Sequence, residues 1–294
     1  MPNMLDGNNL KLNYKQINIM NKLFYILYTI VLVGLFASCD PIRNDMGYGT
    51  VITSADQLQA TVTNVMDGTK KTNKVIVHCV SPVNCQWTDG VNTSVGTDTT
   101  LLLMKTGTLK VTLNTMTVDG TKLTRDYSVQ VDEMKFPIAP QFAYFTALSS
   151  KTWTWADAEK CFGNGGDGDT KPAWWTLTGT DVADQCTGKK LPAEGLGATM
   201  KFRLDNGLFL DKITADNKTT TGRFKFDMTN IKKVGWSIGK LTVSNTNVLF
   251  GYDVNASGYP AFSVYDIIYL DDNRMVLSAL GKDGSNWYWV FKAQ

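Results

Sequence analysis

The residues best suited to chemistry in this 294-residue chain stand between Cys161 and Cys186. Cys161-Phe162-Gly163-Asn164-Gly165-Gly166-Asp167-Gly168-Asp169 is rich in glycine and in side-chain oxygens, and adjacent Trp174 and Trp175 follow it. Glycines let the backbone turn tightly. An indole on a fixed loop offers a flat apolar face on which the axial C–H bonds of a sugar ring can pack. Trp174 and Trp175 are therefore candidate sugar contacts, with the expectation that neighbours in a loop are not both exposed and that one plugs the end of the domain. Asn164, Asp167 and Asp169 carry the oxygen ligands that calcium takes, but their spacing departs from the EF-hand loop and a solvated turn is the simpler reading, so no cofactor is expected. A Cys161–Cys186 bridge would close the segment and contribute about 3 kcal/mol in the chain-entropy view.

Other chemistries find less support. Hydrolysis of a glycosidic bond needs two carboxylates flanking it, and Glu159 and Glu194 are the only glutamates in the C-terminal half. The single histidine, His78, lies inside a strand-like run, where a satisfied strand residue is the plain reading. It cannot supply a serine–histidine–acid triad to the C-terminal half, nor a histidine-rich zinc site anywhere. Cys79 and Cys85 bracket a turn-like segment, so a local bridge is a second candidate disulfide. Lys plus Arg number 29 against 27 Asp plus Glu, a net charge of +2. These basic residues are scattered, without the cluster that tracks phosphates, which argues against a nucleic-acid partner.

The elements that must position these residues read as strands. Charged residues make up 19% of the chain, and threonine, asparagine and glycine abound, so long helix-favouring segments are missing and the expectation is all-β. Residues 50–133 carry short alternating runs with close turns: Leu58, Ala60 and Val62; residues 74–80; Leu109, Val111 and Leu113; an Asp119-Gly120 hairpin turn; and residues 127–131. That is the pattern of a small antiparallel sandwich. Residues 134–146, with Pro137 and Pro140, read as a linker. In residues 147–294, Trp153 and Trp155 share one strand face, as do Trp287, Trp289 and Phe291, and a bulky core explains all five. Met200, Phe202 and Leu204 run into an Asp205-Asn206-Gly207 turn, and further strands are expected at 221–228, 235–243, 248–252, 264–270 and 275–277. Strands paired with their sequence neighbours imply an up-and-down barrel, with a jelly roll as the competing closure. Residues 156–197 lack strand period, the mark of a functional insertion.

The N-terminal residues set the compartment. Lys22 precedes an apolar run of roughly fifteen residues that ends Leu35-Phe36-Ala37-Ser38-Cys39, too short for a usual span and ordered like a secretory signal. Met20-Asn21-Lys22 is a better start for such a signal than Met1. The ending resembles a bacterial lipobox, which implies lipidation of Cys39 and membrane attachment through the N-terminal lipid. Residues 1–39 are then leader and signal, and 40–49 a tether. Asp40 and Asp45 resemble the acidic surface-export signals of Bacteroidetes lipoproteins, although separated, which leaves the leaflet open. In an oxidising envelope the four remaining cysteines would have the opportunity to pair.

Trp87-Thr88-Asp89-Gly90, the run from Gly107 to Leu113, Asp119-Gly120 and the run from Tyr127 to Val131 resemble a PKD domain, an Ig-like sandwich. That resemblance implies a spacer or adhesion module. Lys151-Thr152-Trp153, the strand ending at Leu204, the strand with Phe224, Tyr265 to Leu270 and the terminal aromatic strand resemble bacterial lipocalin-like domains. The whole arrangement is similar to accessory lipoproteins of Bacteroidetes glycan-utilisation systems. It implies a non-catalytic outer-membrane lipoprotein that binds poly- or oligosaccharide, with outer-membrane glycan-uptake proteins as partners. The alternatives are a glycoside hydrolase and a structural or adhesion subunit without a small ligand.

Overall fold

The computed structural model describes residues 52–294. The apolar run, Cys39 and the tether therefore lie outside the described residues, and no helix among the described residues is long and apolar enough to cross a membrane.

Seven strands form the first module, β1 (Ala60–Asp67), β2 (Lys70–Cys79), β3 (Asn84–Thr88), β4 (Thr93–Val95), β5 (Asp98–Leu102), β6 (Gly107–Met116) and β7 (Lys122–Val131). They make a three-stranded sheet, β1-β2-β5, and a four-stranded sheet, β4-β3-β6-β7. The alternation in the sequence places Val75, Val77, Trp87, Val111, Leu113 and Val131 in one buried cluster between them, as a sandwich requires. Trp87 lies against Tyr127 with ring centroids 5.9 Å apart and donates its indole N–H to the Gly96 carbonyl. Asp119-Gly120 is the β6–β7 turn, with Gly120 at φ 86°. His78 sits on β2 opposite Asp98 and is paired with its carboxylate.

A short helix, α1 (Pro140–Thr146), follows within the segment expected to be a linker, starting on a proline whose missing N–H costs nothing there. Its Phe145 is fully buried against Phe202, Phe224 and Phe226, so the helix closes part of the second core. The junction is tight: Lys105 Nζ donates to the Leu204 carbonyl, and a Cβ on Gly90 would stand 2.1 Å from the Asn206 carbonyl oxygen.

The second module is an eight-stranded antiparallel barrel. Its strands are β8 (Ser150–Trp155), β11 (Thr199–Leu204), β12 (Leu208–Ile213), β13 (Thr219–Asp227), β14 (Gly239–Ser244), β15 (Val264–Leu270), β16 (Arg274–Leu280) and β17 (Asn286–Ala293), each paired with the next, and β17 closing on β8. That order is the up-and-down closure and not the jelly roll. The seam puts Phe291 opposite Trp155, their rings 4.9 Å apart. Trp153, Trp155, Trp287, Trp289 and Phe291 are all buried, so the interior is filled with aromatic side chains.

Three expectations are corrected. Residues 248–252 are not a strand: Val248, Leu249 and Phe250 form an irregular, buried plug, with Phe250 at φ 50°. The strand expected over 235–243 begins only at Gly239, because Trp236 folds inward. Residues 156–197 are not without regular structure. They hold β9 (Phe162–Gly165), β10 (Thr176–Leu177) and a helix, α2 (Gly179–Lys189). The helix starts on a Thr178/Asp181 capping box. Strand β9 pairs with Asn286 to Trp289 of β17, along the same edge as β8 and beyond the residues that β8 pairs with, and with β10 it forms a short branch of the sheet.

Candidate functional site

The glycine-rich segment and the tryptophan pair come together on this branch. Asn164 organises it. Its carbonyl accepts from the N–H groups of both Ala173 and Trp174, its Oδ1 accepts from the Trp175 N–H, and its own N–H donates to the Trp175 carbonyl. The chain curls around one asparagine, and both indoles emerge on the outer side. Trp174 is 66% exposed and Trp175 39%, which corrects the expectation that only one of them meets solvent. Trp175 is braced from beneath, edge-on to Phe162 at 6.3 Å and to Trp287 at 6.1 Å. Gly163 permits this contact, since a Cβ there would fall 1.9 Å from the Trp175 carbonyl oxygen.

Beside Trp174 the turn from Gly165 to Asp169 is held from within. Asp169 accepts the Gly166 N–H at 2.7 Å, and its carbonyl accepts the Trp236 indole N–H at 2.6 Å. Tyr288 donates its hydroxyl to the Gly166 carbonyl, and burial pushes that phenol up to about 12. A Cβ on Gly166 would stand 3.3 Å from Trp174 Cζ2, so the indole lies close over the turn. Asp167 forms an ion pair with Lys232 at 3.2 Å, and the Asn286 amide approaches the same oxygen. Lys232 also lies over the Trp236 ring, 5.0 Å from its centroid.

The result is a platform of one widely exposed and one partly exposed indole, on the same branch as the exposed Asp167 carboxylate and its Lys232 ammonium, with the Asn286 carboxamide buried beneath that pair. Asn164 Oδ1 and Asp169 Oδ2 accept from backbone N–H groups, and among the described residues no group of three His, Cys, Asp or Glu side chains gathers. Grooves of about 450 Å³ beside Cys85, Asn114 and Lys122, and of about 510 Å³ beside Lys105, Gly107 and Ala147, are lined by none of the platform residues.

Cys79, Cys85, Cys161 and Cys186 are free, buried thiols, so neither expected bridge is present in the structure. Cys161 lies among Asp157, Glu159 and Asp181, and Cys186 near Glu194, Gly195 and Lys212. Burial raises the Cys161 thiol to about 12 and the Cys186 thiol to about 11, far from nucleophilic values. Cys85 is likewise raised to about 12, by burial first and by neighbouring Cys79 second. The hydrolase pair is not assembled either. Glu159 is bound by Arg274 at the surface, and Glu194 is sealed in the interior against Lys212.

Lys232, Trp236, Asn286 and Tyr288 complete the platform, and sequence reasoning did not find them. Their one signal was the off-period Trp236 between the strands around Phe226 and Leu241. Searches against family models and against curated proteins match nothing.

Proposed function

We propose that the chain is an envelope-anchored lipoprotein, tethered through Cys39, that binds poly- or oligosaccharide without catalysis. The PKD-like sandwich acts as spacer and the barrel as binder. The observation that carries this reading is Trp174. A large apolar ring kept two-thirds in solvent, on a turn fixed by a dense set of hydrogen bonds, forgoes burial worth about 2 kcal/mol or more, and with partly exposed Trp175 next to it in the chain it makes contiguous apolar surface of the kind that marks interaction sites. Asp167 and Lys232 supply the polar groups that orient hydroxyls around a stacked ring, and buried Asn286 holds the Asp167 carboxylate from beneath. A flat face suits a chain of sugar units better than a small enclosed ligand. Membrane attachment places several copies side by side, which adds avidity. Outer-membrane glycan-uptake proteins are the partners this reading implies.

The test is calorimetric titration of the full chain and of Trp174→Ala against a panel of plant and host polysaccharides. Binding by the parent, weakened about tenfold or more in the variant, is the expected result. No binding to any member by correctly folded parent overturns the reading.

A further inference from the structure

The barrel hides a second cluster that the platform does not use. Glu194, in the connection between α2 and β11, is 0% exposed, and Lys212 on β12 is 5% exposed. Lys212 Nζ lies 2.6 Å from Glu194 Oε1, yet that oxygen makes no well-directed hydrogen bond; proximity alone defines the pair. Glu194 Oε2 accepts the Phe250 N–H at 2.6 Å, and its backbone carbonyl accepts the Trp155 indole N–H at 2.8 Å, so the carboxylate is aimed. On its other side Lys212 Nζ touches the carboxamide of Asn247, also buried, through Oδ1. Asn247 Nδ2 donates to the Gly251 carbonyl at 2.9 Å. The Tyr252 ring lies 5.7 Å from Nζ, and its hydroxyl stands beside both Glu194 and Asn247. A Cβ at Gly251 would meet the Tyr265 hydroxyl at 2.5 Å, so the wall around the amide is closed.

A primary amine, a primary carboxamide and an acid–base group, held together away from water, form a set that can react with itself. We propose that Lys212 and Asn247 become joined by an isopeptide bond within the folded barrel, with Glu194 as the acid–base group. Glu194 takes one proton from the Lys212 ammonium, and the freed amine attacks Asn247 Cγ. The new C–N bond forms as the carbonyl electrons move onto Oδ1. Glu194 passes its proton to Nδ2 and takes the second proton from the attacking nitrogen. The C–Nδ2 bond then breaks, the carbonyl re-forms, and ammonia leaves with the remaining proton as ammonium. Atoms and charge balance, and no oxidant or co-reactant is needed. Burial supplies both the held geometry and the driving preference: preorganised reactants gain a large effective concentration, and a buried ammonium is costly where a neutral amide is not. Consistent with the acid–base role, burial pushes the Glu194 carboxyl above its ordinary range, against the lowering effect of Lys212. The bond would tie β12 to the plug after β14, across a sequence separation of 35 residues.

The full chain, denatured and digested with trypsin, decides this by mass spectrometry. The expected result is no cleavage after Lys212 and a branched product in which residues 204–218 are joined to residues 241–274, lighter than the two together by one ammonia. Recovery of residues 204–212 and 241–274 as separate, unaltered peptides overturns the proposal without any variant. In Glu194→Gln, folding checked by circular dichroism, the unlinked peptides are expected. A folded Glu194→Gln protein that still carries the linked product removes Glu194 from the chemistry.

Discussion

Trp289 and Trp174 belong to the same module and meet opposite fates. Trp289 lies in β17, points inward by the two-residue period, and is fully buried with its N–H donated to the Phe250 carbonyl. Trp174 lies where the chain curls around Asn164 and faces solvent. Regular strands sort their side chains by parity, so an interior tryptophan follows from alternation alone. An exposed one has to be held out by something irregular. The difference separates tryptophans that build the barrel from those the barrel leaves in solvent, and it can be broken or sharpened by substitution.

The largest effect is expected at Trp289→Ala, which removes an enclosed indole and strands its hydrogen-bond acceptor. A loss of about 3–5 kcal/mol in urea unfolding is expected, and a loss below about 1 kcal/mol would mean the interior is not packed as described. Gly163→Ala comes next. Its new methyl must displace the Trp175 carbonyl, so a loss of more than about 1 kcal/mol is expected, together with a changed tryptophan emission as the platform shifts. Unaltered emission would separate the platform from β9.

Thr178→Ala, removing the cap of α2, is expected to cost about 1 kcal/mol. The same cap gives a pH dependence. The Thr178 N–H and then its hydroxyl hold the Asp181 carboxyl below its usual range. Because that folded-state value is depressed, the stabilisation is complete above the unfolded value of about 4 and is lost as pH falls through the folded one. Protection of the α2 amides, taken relative to free-peptide exchange at the same pH, should therefore fall on acidification below about pH 4 in the parent. Asp181→Asn should show no such step; an equal step there would assign it to another group. The smallest stability effect belongs to Trp174→Ala, within about 0.5 kcal/mol, although iodide quenching of fluorescence should fall markedly. A large destabilisation would make Trp174 a structural residue and end its comparison with Trp289.

Much of the barrel was legible because parity is a local property. Met200, Phe202 and Leu204, the Asp205-Asn206-Gly207 turn, and the aromatic faces of β8 and β17 each carry their position in their spacing. Asn206 takes φ 46° and Gly207 φ 150°, as that turn demands. Residues 248–252 misled because an apolar run reads alike in a strand and in a buried plug. The helix α2 was obscured by its glycines and threonines, which are poor helix formers, although Thr178 and Asp181 at capping-box spacing were a usable sign. The exposure of both Trp174 and Trp175 was illegible for a different reason: it depends on Asn164, ten and eleven positions upstream and hydrogen-bonded to both just beyond the β9–β10 pairing. Lys212, Glu194 and Asn247 share no period at all, and only closure of the barrel brings them together.

The seam has a consequence for synthesis. Strand β17 bonds to β16, β8 and β9 at once and follows every other barrel strand in chain order. While a ribosome is still making it, β8 has no partner on one side and the inward faces of Trp153 and Trp155 have nothing to cover them. The nascent module must wait, open-edged, for its last strand, so the interval before that strand emerges is when it most needs protection from sticking to its neighbours.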